Sequence, residues 1–208
     1  KKDDPVPIFE HDFGSSTDSR DGHVYKTIEI GTQTWFAENL AYEGAGNNIT
    51  DFDGWFLSTT YEGWCYYSND KATYGSTYGI LYQWGVASRA CPEGWHLPNR
   101  SEWIILRDSL GGKYEAGGKL KEAGTAHWHD PNEGASNESG FTALPAGMKG
   151  AQSPYYGAIG DYAHFWGAEN DSAFAIDATV ASWTDILWVS EFTSNHKTLG
   201  YSVRCLKD

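Results

Sequence analysis

Alternating apolar and polar positions near the start of the chain predict a β-hairpin. Val24, Ile28 and Ile30 share one face of an extended segment at a period of two. Gly31-Thr32 then offers a tight turn into the segment Gln33-Thr34-Trp35-Phe36. We therefore expect two antiparallel strands to open the folded part of the chain.

A second pattern, in the middle of the chain, predicts an amphipathic helix. Pro98 restricts the residue before it to extended geometry, Asn99 is a favourable N-cap, and Glu102 stands where a capping box places its carboxylate. Gly111-Gly112 is expected to end the helix. The apolar residues at helical spacing, which we expect to face a core, are Trp103, Leu106 and Leu110.

The remaining segments predict an α+β domain with helices early and strands late. Tyr201, Val203 and Cys205 share one face of a closing strand. No fixed-period repeat is visible. Residues 1 to 20 are polar and aperiodic, and we expect a flexible arm or linker before a single domain over residues 21 to 208. The other predicted elements are a loop at about 43–63, a short helix at about 77–88, a helical turn within 113–124 and a strand at 141–147.

Composition and charge limit the classes of partner. The 208 residues include 10 Trp, 13 Tyr and 24 Gly, a balance typical of loop-rich proteins that present flat rings to ligands. The net charge of -13 opposes nucleic-acid backbones and anionic membranes, so we expect no nucleic-acid partner. No apolar run is long enough to span a bilayer. The polar start reads as a linker, and we expect the natural protein to begin with a targeting or lipid-anchor segment.

Several sequence blocks together resemble one family. The chain is similar to the Fibrobacter succinogenes major paralogous domain, and the blocks follow in order from about residue 22 to 208. The resemblance implies a C-type-lectin-like fold, with two helices, short antiparallel strands and long loops, near the formylglycine-generating-enzyme branch. It also implies a secreted or surface-anchored protein of Bacteroidetes or Fibrobacteres. The blocks that carry it are 25–40, 78–84, 91–103, 118–121, 140–147, 165–166 and 202–206.

The three cysteines allow one bridge and leave one thiol. We expect Cys91 and Cys205 to form a structural disulfide that ties the helix region to the last strand. Family members often carry a second cysteine as a mate for Cys65, but the corresponding segment here has none, so we expect a free thiol. Members also tend to have Ser or Thr after the Phe-Trp pair, where this chain has Gly167-Ala168.

Metal sites are weakly indicated. His127 and His129 have a spacing that suits zinc, but no third ligand is evident. Glu169-Asn170-Asp171 offers hard oxygen ligands for calcium, although the sugar-binding motifs Glu-Pro-Asn and Trp-Asn-Asp of calcium-dependent lectins are absent. We therefore expect no cofactor and no metal ligand, with calcium kept as the alternative.

The segment between residues 155 and 195 is the predicted binding surface. It mixes aromatic and acidic side chains, which stack on sugar rings or anchor protein contacts. The resemblance points to the same late region, which in relatives of this fold forms the binding surface and can be diversified by retroelements. We expect Trp166 to be core. The predicted ligand-binding residues are Tyr155, Tyr156, Tyr162, Asn170, Asp171, Asp177, Trp183, Asp185, Trp188 and Phe192.

These patterns and the family resemblance together imply a secreted or cell-surface domain that binds a glycan or a protein and performs no chemistry. We expect it to act as an adhesin, on a pilus-like fibre or as an anchored lipoprotein. An enzyme of the formylglycine-generating type is the alternative, which would require a reactive cysteine pair that the sequence does not show. A structural module of a surface assembly is the third hypothesis.

Overall fold

The computed structural model describes residues 9–56, 60–151, 155–170, 174–190 and 195–208. Strands predominate over helices in an α+β arrangement, as predicted. The helices are α1 Phe52–Phe56, α2 Lys71–Tyr78, α3 Trp84–Ala87, α4 Arg100–Ser109 and α5 Ala116–Leu120, and a 3-10 turn covers Tyr67–Asn69. In the described residues no helix is both long and apolar enough to cross a membrane.

In the described part of the chain the strands form three sheets. They are β1 Gly14–Thr17, β2 Val24–Ile30, β3 Gln33–Phe36, β4 Asn47–Asn48, β5 Gly63–Cys65, β6 Leu81–Tyr82, β7 Trp95–His96, β8 Ala146–Lys149, β9 Tyr156–Ile159, β10 Tyr162–Asn170, β11 Phe174–Ala181, β12 Trp188–Val189, β13 Asn195–His196 and β14 Leu206–Lys207. The strand orders are β1-β2-β3-β14-β7, then β12-β11-β10-β8-β9 with β13 beside β11, and β4-β5-β6. Neighbouring strands are antiparallel except β4 with β5 and β8 with β10.

The opening hairpin is confirmed, with Ile30 paired to Gln33 across the turn. Ile28 and Ile30 are buried, but Val24 is 56% exposed because it lies at the end of its strand, beyond the core. Tyr25, on the opposite face, is also buried and stacks on Phe36. The sheet is therefore covered on both sides near its middle. Its edge strand β1 comes from the segment predicted as an arm, so the sheet begins at residue 14.

Helix α4 is confirmed together with its cap. The side chain of Asn99 accepts from the backbone N–H of Glu102, and the carboxylate of Glu102 accepts from the backbone N–H of Asn99. The apolar face of the helix packs into the main core through Trp103 and Leu106. The predicted helical turn after it is α5.

The predicted helix at about 77–88 is confirmed only in part, because α3 covers Trp84–Ala87 but a strand interrupts the segment before it. Helix α2 ends at Tyr78, because Gly79 adopts a positive φ of 69°. Leu81 and Tyr82 then form a strand that is buried on both faces, and a buried strand and a buried helix give the same apolar run. The predicted strand at 141–147 is also largely wrong, because only Ala146 onwards joins a strand.

The closing segment connects all three sheets. Tyr201 bridges to Tyr82, Ser202 bridges to Phe165, and Leu206 lies between β3 and β7. The predicted face of Tyr201, Val203 and Cys205 is buried, and Ser202 and Arg204 on the other face are buried too. The regular strand is shorter than predicted, because most of this segment makes single bridges to different partners.

Candidate functional site: an aromatic sheet face

Strands β10, β11 and β12 leave the face of the six-stranded sheet opposite the main core partly exposed. Ala163 and Phe165 point into the main core, so Tyr162 and His164 point to the opposite face. His164 pairs with Thr179, and Thr179 pairs with Trp188. Because paired residues of antiparallel strands lie on the same face, these three side chains form one row across the sheet.

Two tryptophans are exposed at this face. Trp183 is 50% exposed and Trp188 is 36% exposed, and the other eight of the ten tryptophans, all in described parts of the chain, are buried or partly buried. Trp183 contacts the ring of Tyr162 edge-on, with centroids 4.7 Å apart. We call Tyr162, His164, Trp183 and Trp188 the aromatic face. Trp166 is fully buried, as predicted.

A stack of rings makes this face rigid. The ring of His164 lies between Tyr162, at 5.2 Å, and Tyr201, at 4.6 Å, with interplanar angles of 18° and 12°. Tyr201 in turn packs on Trp166 at 4.5 Å. Burial and the nearby carboxylate of Asp177 raise the pKa of Tyr201, so the phenol is neutral at physiological pH. The partly exposed ring of Tyr162 is therefore supported from below by the packed rings of His164, Tyr201 and Trp166.

Asp177 lies beneath the face as a buried hydrogen-bond acceptor. Its carboxylate accepts from the hydroxyls of Thr179 and Ser190, and its Oδ2 lies 3.6 Å from Nδ1 of His164. Burial alone would raise the pKa of Asp177, but the nearby imidazole of His164 and the hydrogen bonds from Ser190 and Thr179 lower it. Asp177 is thus ionised and orients its neighbours. It does not present its carboxylate to solvent.

The other predicted ligand-binding residues do not all join this face. Tyr155 is exposed, but it precedes β9, two strands away from β10 in the sheet. The hydroxyl of Tyr156 accepts from Lys149 Nζ at 3.0 Å and donates to Asn69 Oδ1 at 2.6 Å, within a separate cluster around Cys65.

Asp185 is half-buried against α5, where its backbone carbonyl accepts from the N–H of Gly118 at 3.2 Å. Asn170 ends β10, beyond the bulge in the β10–β11 pairing. Asp171 and Phe192 lie outside the described residues. Their predicted roles stay predictions.

The histidines and acidic residues considered for metals have separate partners. His127 pairs with Glu122 at 2.8 Å, and His129 pairs with Asp161 at 3.0 Å. The carboxylate of Glu169 accepts from the N–H of Arg100 at the start of α4. Within the ranges given above, no three His, Cys, Asp or Glu side chains form a group that could hold a metal ion.

The cysteines behave as expected. Cys91 and Cys205 form a disulfide across 114 positions. Cys65 is a free, buried thiol, and burial raises its pKa to about 11. At neutral pH this thiol is therefore protonated and a weak nucleophile.

Sequence reasoning missed His164, Thr179, Ser190 and Tyr201 as members of the site. The alternation of Tyr162, His164 and Trp166 along one segment was the available signal for His164. The other three come together through strand pairing and through the passage of the closing segment, which no local pattern reveals.

A family model of the Fibrobacter succinogenes major domain matches residues 28–207. That match contains every strand of the aromatic face. No curated protein and no solved structure matches the chain.

Proposed function

Because the chain belongs to the Fibrobacter succinogenes major domain family, we propose that it is a secreted or cell-surface domain that binds a ligand through its aromatic face. The ligand is a glycan or a protein on a surface, and the domain acts as an adhesin, on a fibre or as an anchored lipoprotein. Its late loops would then be the variable part of the surface. The binding itself involves no covalent chemistry.

The exposure of Trp183 beside Tyr162 carries this proposal. A tryptophan that leaves half of its surface in water gives up the burial free energy of a large ring, about 1.5–3 kcal/mol for a full side chain. Here the edge of that ring is fixed against Tyr162, so the flat surface is presented in one orientation. Such preorganised rings stack on sugar faces and anchor protein interfaces.

A C-type-lectin-like fold is part of the same proposal. The closing strand β14 pairs with β3 of the opening hairpin, which brings the two ends of the domain into one sheet. The aromatic face comes from the late region, before the closing segment, as the family resemblance implies. The disulfide between Cys91 and Cys205 supports an extracellular location, because such bonds persist in oxidising compartments.

The state of the thiols supports binding over formylglycine-type catalysis. Cys91 and Cys205 are oxidised to a disulfide, and the protonated thiol of Cys65 is buried. An enzyme of that type would require an accessible, reactive cysteine pair.

The proposal is tested on glycan and host-protein arrays, each probed with and without calcium. We expect Trp183→Ala and Trp188→Ala to weaken binding about 5- to 150-fold each, from about 1–3 kcal/mol per stacked ring, with nucleobase stacking as the guide. Tyr114→Ala is the matched control, because Tyr114 is 68% exposed and follows α4, outside the aromatic face. Array hits that bind equally to all three variants would refute the assignment of this face.

A further inference from the structure

The proton on the ring of His164 has a defined position. Asp177 is an ionised carboxylate, so the hydroxyl of Thr179 donates its proton to Asp177 Oδ2. The oxygen of Thr179 then accepts from Nδ1 of His164, at 2.8 Å. A neutral imidazole carries one N–H, and here that N–H is on Nδ1.

This chain of hydrogen bonds leaves Nε2 of His164 as an acceptor. Among the described residues Nε2 has no hydrogen-bond partner, and the side chain is 13% exposed at the aromatic face. The rings of Tyr162 and Tyr201 stack on the imidazole and hold its plane, and the hydrogen bond between Nδ1 and Thr179 fixes which edge of the ring faces that residue. Nε2 of His164 is therefore a hydrogen-bond acceptor of fixed orientation, held between the rings of Tyr162 and Tyr201.

The surroundings favour a neutral ligand that donates a hydrogen bond. Thr179 separates His164 from Trp188 by two strand spacings, about 10 Å, and Trp183 lies on the other side of Tyr162. The carboxylates of Asp177 and Asp161 lie next to this row and disfavour an anion, and the nearby guanidinium of Arg100 donates to the carbonyl of Ser190 at 2.9 Å. An oligosaccharide supplies flat apolar ring faces for the tryptophans and hydroxyl donors at their edges.

We propose that the aromatic face binds a neutral oligosaccharide and that Nε2 of His164 accepts a hydrogen bond from one of its hydroxyl groups. This inference rests on the proposed function, because it assigns the ligand class and a specificity-determining residue at the same face. Asp177 and Thr179 are positioning residues that hold the ring of His164 in the required tautomer.

The tautomer is tested on the unliganded wild-type protein. Long-range ¹H–¹⁵N correlation spectra of histidine-labelled protein at pH 8 should show His164 protonated at Nδ1 and unprotonated at Nε2. Thr179→Val removes the acceptor for Nδ1–H and should shift the ring toward the other tautomer. A wild-type ring protonated at Nε2 would overturn the proposal regardless of any binding result.

Binding is tested with two substitutions that separate the two ring nitrogens. The probe is the array saccharide with the strongest Trp183-dependent signal, measured by calorimetry beside its monodeoxy analogues. His164→Asn keeps a donor near the position of Nδ1 and removes the acceptor Nε2. We expect the affinity for the saccharide to fall about two- to tenfold, which corresponds to the loss of one hydrogen bond. His164→Gln places an amide oxygen near the position of Nε2 and should retain most of the affinity.

One monodeoxy analogue, which lacks the hydroxyl that donates to His164, should bind the wild type as weakly as the parent saccharide binds His164→Asn. The affinity of this analogue should not fall further when it is measured with His164→Asn. Trp183-dependent binding that is unchanged in His164→Asn would overturn this inference and leave the proposed function standing. If no saccharide on the array binds in a Trp183-dependent way, both this inference and glycan binding as the proposed function are overturned. If only proteins bind in a Trp183-dependent way, this inference is overturned and the proposed function stands.

Discussion

Cys91 and Cys205 are joined by a disulfide that fastens the turn before α4 to the closing segment. The two sulfur atoms close a loop that contains most of the second half of the domain, including the aromatic face. The bond therefore constrains the unfolded chain far more than a local bridge would.

Removal of this disulfide should destabilise the domain strongly. Because the cross-linked residues are 114 positions apart, the Cys91→Ser/Cys205→Ser variant should lose about 4–5 kcal/mol of unfolding free energy in the loop-closure model. Guanidinium denaturation followed by tryptophan fluorescence measures this loss. Reduced wild-type protein should unfold at the same denaturant concentration as the variant, and a variant as stable as the oxidised protein would contradict the prediction.

His96 should make stability depend on pH. Burial opposes its charge, but hydrogen bonds to Asp208, at 2.7 Å, and Glu102, at 2.9 Å, raise the pKa of His96 above its ordinary value. A raised pKa means that the folded state binds the proton more tightly, so this contribution is fully present below about pH 6.5 and is lost as pH rises through the folded pKa.

His96→Asn should therefore lower the unfolding free energy at pH 5.5 more than at pH 8.5, as measured by urea denaturation at both values. In an Asp208→Asn background the pH-dependent part of the effect should shrink, because one of the two carboxylates is gone. An equal effect of His96→Asn at the two pH values would show that the ion pairs contribute nothing.

Lys121 should be essential for the packing of α5 against the late strands. Its buried ammonium donates to three backbone carbonyls, those of Glu133 at 2.7 Å, Ala181 at 2.9 Å and Thr184 at 2.8 Å. Lys121→Met leaves all three acceptors without this donor and should cost about 3 kcal/mol or more. Lys119→Met, two positions earlier and partly exposed, should cost less than about 0.5 kcal/mol. Thermal unfolding of the pair measures the difference, and similar melting temperatures would refute the prediction.

Arg204 should not tolerate lysine. Its guanidinium is fully buried and donates to the side-chain oxygen of Asn39 and to the carbonyls of Phe36, Phe141 and Thr142. A lysine ammonium cannot reach this planar set of acceptors, so Arg204→Lys should lose about 3–5 kcal/mol.

The matched control for that substitution is Arg89→Lys. The side chain of Arg89 is 51% exposed and pairs with Glu62 at the surface, so its replacement should cost at most about 1 kcal/mol. Chemical denaturation of both variants measures the two losses of unfolding free energy. Equal losses would indicate that burial of Arg204 is energetically unimportant.

Local signals predicted the parts of the fold that depend on a few consecutive residues. The capping box of Asn99 and Glu102 and the hairpin turn at Gly31 are formed by residues within four positions of each other, so their chemistry is visible in the sequence. The prediction of a helix was wrong at Leu81–Tyr82, because this strand is buried on both faces and its residues show no alternation that distinguishes a strand from a helix.

The candidate site could be predicted only in part. Tyr162, Trp183 and Trp188 were identified by their aromatic character, and the structure brings them to one face. Tyr156 has the same character but is held in another cluster by Lys149, a contact set by tertiary packing. The position of His164 between two tyrosine rings depends on the closing segment, which lies far away in the sequence.

The closing segment also determines when the domain can fold. Leu206 supplies the strand that joins β3 to β7, Ser202 bridges to β10 of the six-stranded sheet, and Tyr201 bridges to β6 of the three-stranded sheet. During synthesis the earlier strands emerge first, and until residues 201–206 follow, the first sheet remains split and the ring of His164 lacks the support of Tyr201. Completion of the fold is thus delayed until residues 201–206 have been synthesised.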